Sequence, residues 1–405
     1  MRRTVILATA TLAVGLLVGL GLMEGVIRVY AATNESFGTG IRQFDPMAVQ
    51  IEPHGRLGYR QRPNATFHYA NGTVATSNAL GYRGPEVALH PDSGVVRIIL
   101  LGGSTTHGFG VADDQTIDAY MRAILREKYP ARRFEVVNLA FDGYDAYQML
   151  ERLRSDGLRL HPTVVVLNEG INDVRNAQFR NLRDADPRTL IWESVLARLR
   201  AEQAHGGPSL WTRIKHYSFV ARTPGYVRDQ LDRRRQEQER RAQASRAAAS
   251  TAAGEGAADG AADASTGGPP YPDAANFFER YMRQMVALSI DSGAAVLLST
   301  PPSALRSYEP TALSTRTYWI INAKTTQIYR DTLAARLRSI ASSEQSLGHR
   351  VRYVAPAVPL PLYLDDCHLK PEGNRIVAAT FVGAIDSLLA PADQGGPTKK
   401  TAVRD

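Results

Sequence analysis

Three stretches far apart in the chain hold residue types from which a reactive site could be built. The first, GGSTTHGFG over 102–110, follows an apolar run at 95–101 that is broken only by Arg97. Two phosphate-binding readings of it fail on chemistry. Gly103 and Gly108 have the spacing of a P-loop, but Phe109 and Gly110 stand where a lysine and a hydroxyl residue would contact phosphate and metal. Gly108 and Gly110 could begin a dinucleotide fingerprint, but Asp113 occupies the place of its third glycine. What remains is Ser104, a serine directly after a strand, where the chain turns and lifts a hydroxyl to the carboxyl end of a sheet. It is not the G-x-S-x-G elbow, because Thr106 replaces the second glycine.

A nucleophilic serine needs a base, the base an orienter, and the tetrahedral intermediate donors for its oxyanion. The stretch YLDDCHLKPEG (363–373) places Asp365 three residues before His368, so the carboxylate can hold one ring nitrogen while the other faces Ser104. Asp366 is a neighbour without that spacing, and Cys367 reads as a packed small side chain. Two further strand ends supply donors. Gly143, in VVNLAFDGYDAYQ, can aim a backbone N–H inward. Asn172, in VVVLNEGINDV, offers a side-chain amide, and the N–H of Ser104 itself is a third donor. His107 and Asp173 are expected to line the substrate site. Glu169 and Asp173 lack the ligand cluster a metal needs, so no metal and no cofactor is expected.

Elements must bring these stretches together. Short runs rich in Val, Ile and Leu, without polar alternation, predict strands at 96–101, 135–139, 163–167, 294–299 and 351–354. Helical periods at 116–128 and 147–160, and a stripe of Phe277, Tyr281, Met285 and Leu288, lie between them. The alternation predicts a three-layer α/β sandwich, with a parallel sheet covered by helices on both faces, over 94–390. It is interrupted by a basic helical insert at 176–247 and by an Ala/Gly-rich stretch at 248–270 that holds no aromatic or large aliphatic residue and predicts a disordered linker. Residues 31–93 read as an extended arm and 391–405 as a flexible tail.

The 405 residues carry a net charge of +8, much of it in the insert, where 176–248 hold fifteen Arg and Lys against eight Asp and Glu. No zinc-finger or RNP pattern accompanies this charge, so nucleic acid is not an expected partner. At the N-terminus Arg2 and Arg3 precede twenty uncharged, mostly apolar residues, enough at helical rise to cross a bilayer core. The arginines predict a cytoplasmic N-terminus, a single-pass anchor in the inner (cytoplasmic) membrane over 1–30, and an exported domain, periplasmic or extracellular. A cleaved signal peptide is the alternative.

Ser104, Gly143, Asn172 and His368, in that order and each after its own strand, resemble the SGNH (GDSL-type) hydrolase superfamily. GGST is similar to its first block, GIND to its G-x-N-D block and DDCH to its D-x-x-H block. NALGYRG at 78–84 resembles the arm of membrane-anchored bacterial members. The resemblance implies a flavodoxin-like five-stranded sheet and a serine esterase. Ser104 is then the nucleophile, His368 the base, Asp365 its orienter, and Ser104, Gly143 and Asn172 the oxyanion hole. The implied substrate is an acyl ester, of short-chain, acetyl type, on an envelope glycan or lipid. Gly103 departs from the pattern, since many members carry Asp there. The same fold also admits an O-acyltransferase or a non-catalytic envelope-binding module.

Overall fold

The computed structural model describes residues 2–42, 45, 50–69, 71–176, 193–228, 230–231, 234–235, 274–304 and 323–389. The predicted linker at 248–270 and the tail at 391–405 lie outside the described residues. The chain begins with helix α1 (Arg2–Thr33), followed by α2 (Glu35–Arg42). Residues of α1 from Val5 to Met23 are exposed, and Val5–Thr33 is long and apolar enough to cross a membrane.

The segment read as an extended arm folds into two small antiparallel hairpins beyond these helices. Strand β1 (Ile51–His54) pairs with β2 (Gly58–Gln61), and β3 (Thr66–His68) pairs with β4 (Val74–Thr76).

Strand β5 (Val95–Gly102) then leads through α3 (Ser104–His107) and α4 (Ile117–Lys128) to β6 (Arg133–Asn138). Helix α5 (Ala146–Arg152), β7 (Val164–Asn168) and α6 (Ile171–Asn176) follow. The insert contributes α7 (Glu193–Ala204), α8 (Leu210–Tyr217) and α9 (residues 219–228). The remaining elements are α10 (Ala274–Asp291), β8 (Ala295–Ser299), α11 (Ala323–Ser346), β9 (Val351–Val354) and α12 (Pro371–Leu389).

The five strands from β5 to β9 form one parallel sheet in the order β6-β5-β7-β8-β9. Their side chains alternate between two apolar layers. Ile98 and Leu100 pack with Met121, Leu125 and Phe381 of α4 and α12. Ile99 and Leu101 face the other way, towards Met149, Met282 and Leu337 of α5, α10 and α11. Each such side chain taken from water favours the fold by roughly 1.5–3 kcal/mol. The helix expected over 147–160 is regular only to Arg152. A wide turn at Leu153–Gly157 and a tight one at Leu158–Leu160 follow, with Gly157 pressed against Leu153 and Ile99.

Arg97, the one charge in the first strand's apolar run, is enclosed. Its Nε donates to Glu135 at 2.8 Å and its Nη1 to the carbonyls of Leu89 and Leu160.

The chain leaves β5 to build β6 on one side and returns to build β7 on the other. Binding crevices in open α/β sheets form at the carboxyl ends of strands flanking such a reversal. Gly102 of β5 and Asn168 of β7 are register partners there. Ser104 and Asn172 follow these two residues.

Candidate active site

Between Gly102 and α3 the backbone passes through a gap with no room for a side chain. A Cβ on Gly103 would collide with the Asn172 amide and with Glu169 Oε2, which lies 2.5 Å from it. The Gly103 N–H donates to Glu169 Oε2, and the Asn172 N–H donates to Glu169 Oε1 at 2.8 Å. The Glu169 carboxylate thus ties the serine turn to the start of α6. Burial raises its pKa to about 7, against the lowering effect of the N–H donors of Asn172, Gly170 and Gly103.

Behind the serine, Thr106 is fully buried where the elbow motif would have glycine. It donates to the Asn168 carbonyl at 3.0 Å, and Asn168 Nδ2 donates to its hydroxyl at 2.9 Å. Asn138 Nδ2 donates to the Thr106 carbonyl and to Asp118. A hydrogen-bonded polar floor thereby fixes α3 on the sheet.

His368 comes from the turn before α12. Its Nε2 lies 2.8 Å from Ser104 Oγ and its Nδ1 2.6 Å from Asp365 Oδ2. The other oxygen, Asp365 Oδ1, accepts from the N–H of Cys367 at 3.0 Å and of His368 at 2.8 Å, the closed turn that the three-residue spacing allows. Burial by itself would raise Asp365, but His368 and those two N–H donors hold it at about 2. Burial likewise favours neutral His368, yet the Asp365 carboxylate outweighs it and Asp142 adds to the effect, so the imidazole is raised above its ordinary value. The ring therefore takes up a proton more readily than a free imidazole does.

Three N–H groups surround this pair of strand ends. Gly143 has φ +82°, a left-handed conformation that suits glycine and turns its peptide. Among the described residues nothing accepts from the N–H of Gly143 or of Ser104. Asn172 Nδ2 donates one hydrogen to the Tyr144 carbonyl at 2.8 Å, which anchors the amide and leaves its second hydrogen unspent in that bond.

Of the two residues expected to line the substrate site, His107 does otherwise. His107 is 0 % exposed, with Nδ1 2.9 Å from Asp142 Oδ1, Nε2 3.3 Å from Gln61 Oε1, and its ring between Phe67 and Phe141. It is part of the core beneath the site because the last turn of α3 points it under the arm. Both Asp173 carboxylate oxygens lie 3.3 Å from the Ala146 N–H, at the first turn of α5.

Other residues escaped the sequence reading. Phe109 is 36 % exposed and lies with its ring centre 4.5 Å from that of His368, braced by Tyr69 at 4.8 Å. Its place two residues beyond His107 was the only available signal. Asp142, fully buried, is a second carboxylate acting on His368. Burial would raise its pKa, but His107, His368 and Arg83 hold it low.

The arm fastens both halves of the site. Tyr59 Oη donates to the Asp142 carbonyl at 2.8 Å and Tyr144 Oη to the Tyr59 carbonyl at 2.9 Å, on either side of Gly143. Arg83, from NALGYRG, is buried and donates to the carbonyls of His107, Gly108 and Val111, at the end of α3. Asn71 donates to the Gly110 carbonyl at 2.7 Å.

Asp365, Cys367 and His368 also bring three donor atoms within 4.8 Å of one another. The carboxylate and the ring are already committed to each other, and burial pushes the Cys367 thiol well up, away from the thiolate a metal binds. The trio fits a hydrogen-bonded turn better than a metal site.

The five-stranded parallel sheet thus carries a Ser–His–Asp chain of hydrogen bonds at its topological reversal. Residues 100–259 match the model of the GDSL-like lipase/acylhydrolase family. Over that stretch the chain is similar to the family, and the match supports a carboxylic ester hydrolase. No match is found among curated proteins. Solved structures similar to this chain include a GDSL-like lipase from Bacteroides thetaiotaomicron, 14% identical, covering 72% of this chain and 89% of that one at a TM-score of 0.35. A variant of an acetyl-xylooligosaccharide esterase from Geobacillus stearothermophilus is 15% identical and covers 72% and 94% at a TM-score of 0.38. An α/β hydrolase from the metagenome of Lake Arreo is 16% identical and covers 72% and 96% at 0.35.

Proposed function

We propose that Ser104 is the nucleophile of a membrane-anchored, exported esterase, with His368 its base and Asp365 the orienter. The observation that carries this reading is the unbroken chain Asp365–His368–Ser104, at 2.6 and 2.8 Å. As Ser104 Oγ attacks the ester carbonyl carbon, its proton passes to His368 Nε2, and Asp365 stabilises the imidazolium through Nδ1. The carbonyl oxygen becomes an oxyanion that receives the N–H groups of Ser104 and Gly143 and the free hydrogen of Asn172 Nδ2. The carbon–oxygen bond to the alcohol then breaks, and the imidazolium protonates the leaving oxygen. Water attacks the acyl-enzyme with His368 again as base, releasing the carboxylic acid and restoring Ser104.

The acyl group is short, of acetyl type, and the alcohol belongs to an envelope glycan or lipid. The exposed apolar length of α1 supports an anchor that would hold the enzyme beside such a substrate. A serine-reactive phosphonate and an activated acetyl ester test the reading together. Wild type should label and give a burst of released alcohol, and Ser104→Ala should do neither. Equal labelling of both would sink the triad and favour a binding module. A glycan hydroxyl that outcompetes water for the acyl-enzyme would make the protein an O-acyltransferase.

A further inference from the structure

Helix α8 is amphipathic in an inverted sense. Its inward face is polar: the Thr212 hydroxyl donates to Glu202 of α7 at 2.9 Å, and His216 Nδ1 lies 3.0 Å from Asp45. Its outward face carries Leu210, Ile214 and Tyr217, spaced four and three residues apart on one side of the helix and flanked by Trp211, all four exposed. In water such a stripe is a cost, and exposed apolar clusters of this kind mark an interaction surface.

The structure also says where this stripe lies relative to α1. Helix α1 stands free of the fold up to Met23, and Glu24 is the first residue of its long exposed stretch to be partly covered. The Glu24 carboxylate accepts from the Ser218 hydroxyl at 2.9 Å and from the N–H groups of Phe219 and Val220 at 3.0 Å. One turn later Arg28 donates to the Tyr217 carbonyl at 2.6 Å and lies over the Phe219 ring. The α8–α9 junction is therefore bolted to α1 where its uncharged apolar run, which closes at Met23, gives way to Glu24 and Arg28. Trp, Tyr and basic side chains are those that settle at a membrane–water boundary. Trp211 and Tyr217 sit here with Lys215 against the Trp211 ring and with exposed Arg213 and Arg228.

We infer that α8 lies in the headgroup–acyl boundary of the bilayer that α1 spans, with Leu210, Trp211, Ile214 and Tyr217 turned into lipid. The inference rests on α1 being a membrane span. A span alone leaves the domain free to swing, whereas a second contact at α8 fixes its tilt. That tilt bears on the site: Leu196 and Leu199 of α7 pack on Tyr59, Phe141 and Tyr144, which flank Gly143.

Spin labels on the full chain in liposomes test it. The native Cys367 is buried, so a nitroxide goes to an introduced thiol. Three single variants are compared, Leu12→Cys in α1, Ile214→Cys in α8 and Arg126→Cys on the exposed side of α4, each first checked for esterase activity. The readout is collision with oxygen, which concentrates in lipid, against collision with a water-soluble nickel chelate. A severalfold higher oxygen-to-nickel ratio at 214 than at 126, with Leu12 in lipid, is the expected result. Leu12 in lipid with 214 matching 126 overturns the inference and leaves the anchor standing. A label at Leu12 in water overturns the anchor reading and this inference with it.

Discussion

The carboxylate of Glu169 stands where the side chain of residue 103 would stand if that residue were not glycine. The family pattern often puts Asp at this position, and here the acid arrives from the opposite strand end. It accepts from the N–H of Gly103 and from that of Asn172, and so sets the separation of the proposed nucleophile and oxyanion donor.

Gly103→Ala should then displace Asn172 or Glu169 and lower kcat by about 10²-fold, the scale of an ångström misplacement in a site. Gly103→Asp combined with Glu169→Ala moves the carboxylate to the other strand while emptying its old seat. In a double-mutant cycle the pair should be coupled favourably, by about 1–3 kcal/mol in transition-state free energy. Additive losses would show that Glu169 acts only as packing.

The proposed base loses its function when protonated, and its folded pKa is raised above the ordinary 6.5. The pH profile of kcat/KM should therefore have an acidic limb centred above 6.5, with activity lost as pH falls through it. Asp365→Asn removes the main cause of that rise. The limb should move to lower pH, and kcat should drop by roughly 10⁴-fold as the ring loses its tautomer and orientation. An unmoved limb would mean that another group titrates there. The linked stability term runs the other way for the ring: its raised pKa favours the fold below pH 6.5, and that contribution fades as pH rises through the folded value. The low pKa of Asp365 favours the fold above its ordinary 3.8, and this is lost towards pH 2.

Arg83→Leu should destabilise the protein by about 3 kcal/mol in urea titrations, because three buried carbonyls lose a charged donor at once. Activity should fall more than the folded fraction does, since those carbonyls shape the loop after Ser104. An unchanged midpoint would show that water replaces the guanidinium.

Phe109→Ala removes the apolar neighbour of the His368 ring without touching a proton path. We expect KM for an acetyl ester to rise severalfold with kcat changed less, the pattern of lost uniform binding. A fall confined to kcat would instead make Phe109 a support for the imidazole.

The sheet was legible because its inner strands β7 and β8 are buried throughout and read as apolar runs, while the edge strands β6 and β9 still keep valines at buried positions. Four of the five predicted strands begin or end within two residues of the observed ones, and 351–354 coincides with β9. The Asp365–His368 turn was legible because a three-residue spacing is itself a geometry. His107 was not, since nothing local says that the last turn of α3 faces inward beneath the hairpins. The arm was opaque for the same reason. Its short strands gain their meaning from Tyr59 reaching Asp142 and Arg83 reaching Gly108, contacts across 83 and 25 residues of chain. Glu169 was visible as a residue but not as a partner, because the fit depends on an empty Cβ position 66 residues away.

The arm that locks the serine loop is made before the sheet it locks, and His368 follows Ser104 by 264 residues. During synthesis the hairpin segment must wait until β5, β6 and their loops exist to receive it. The proposed site comes together only once the segment that carries His368 has been made. A chain that stops short of His368 leaves Ser104 without its proposed base, so hydrolysis of an ester would double as a report that these two distant segments have closed on each other.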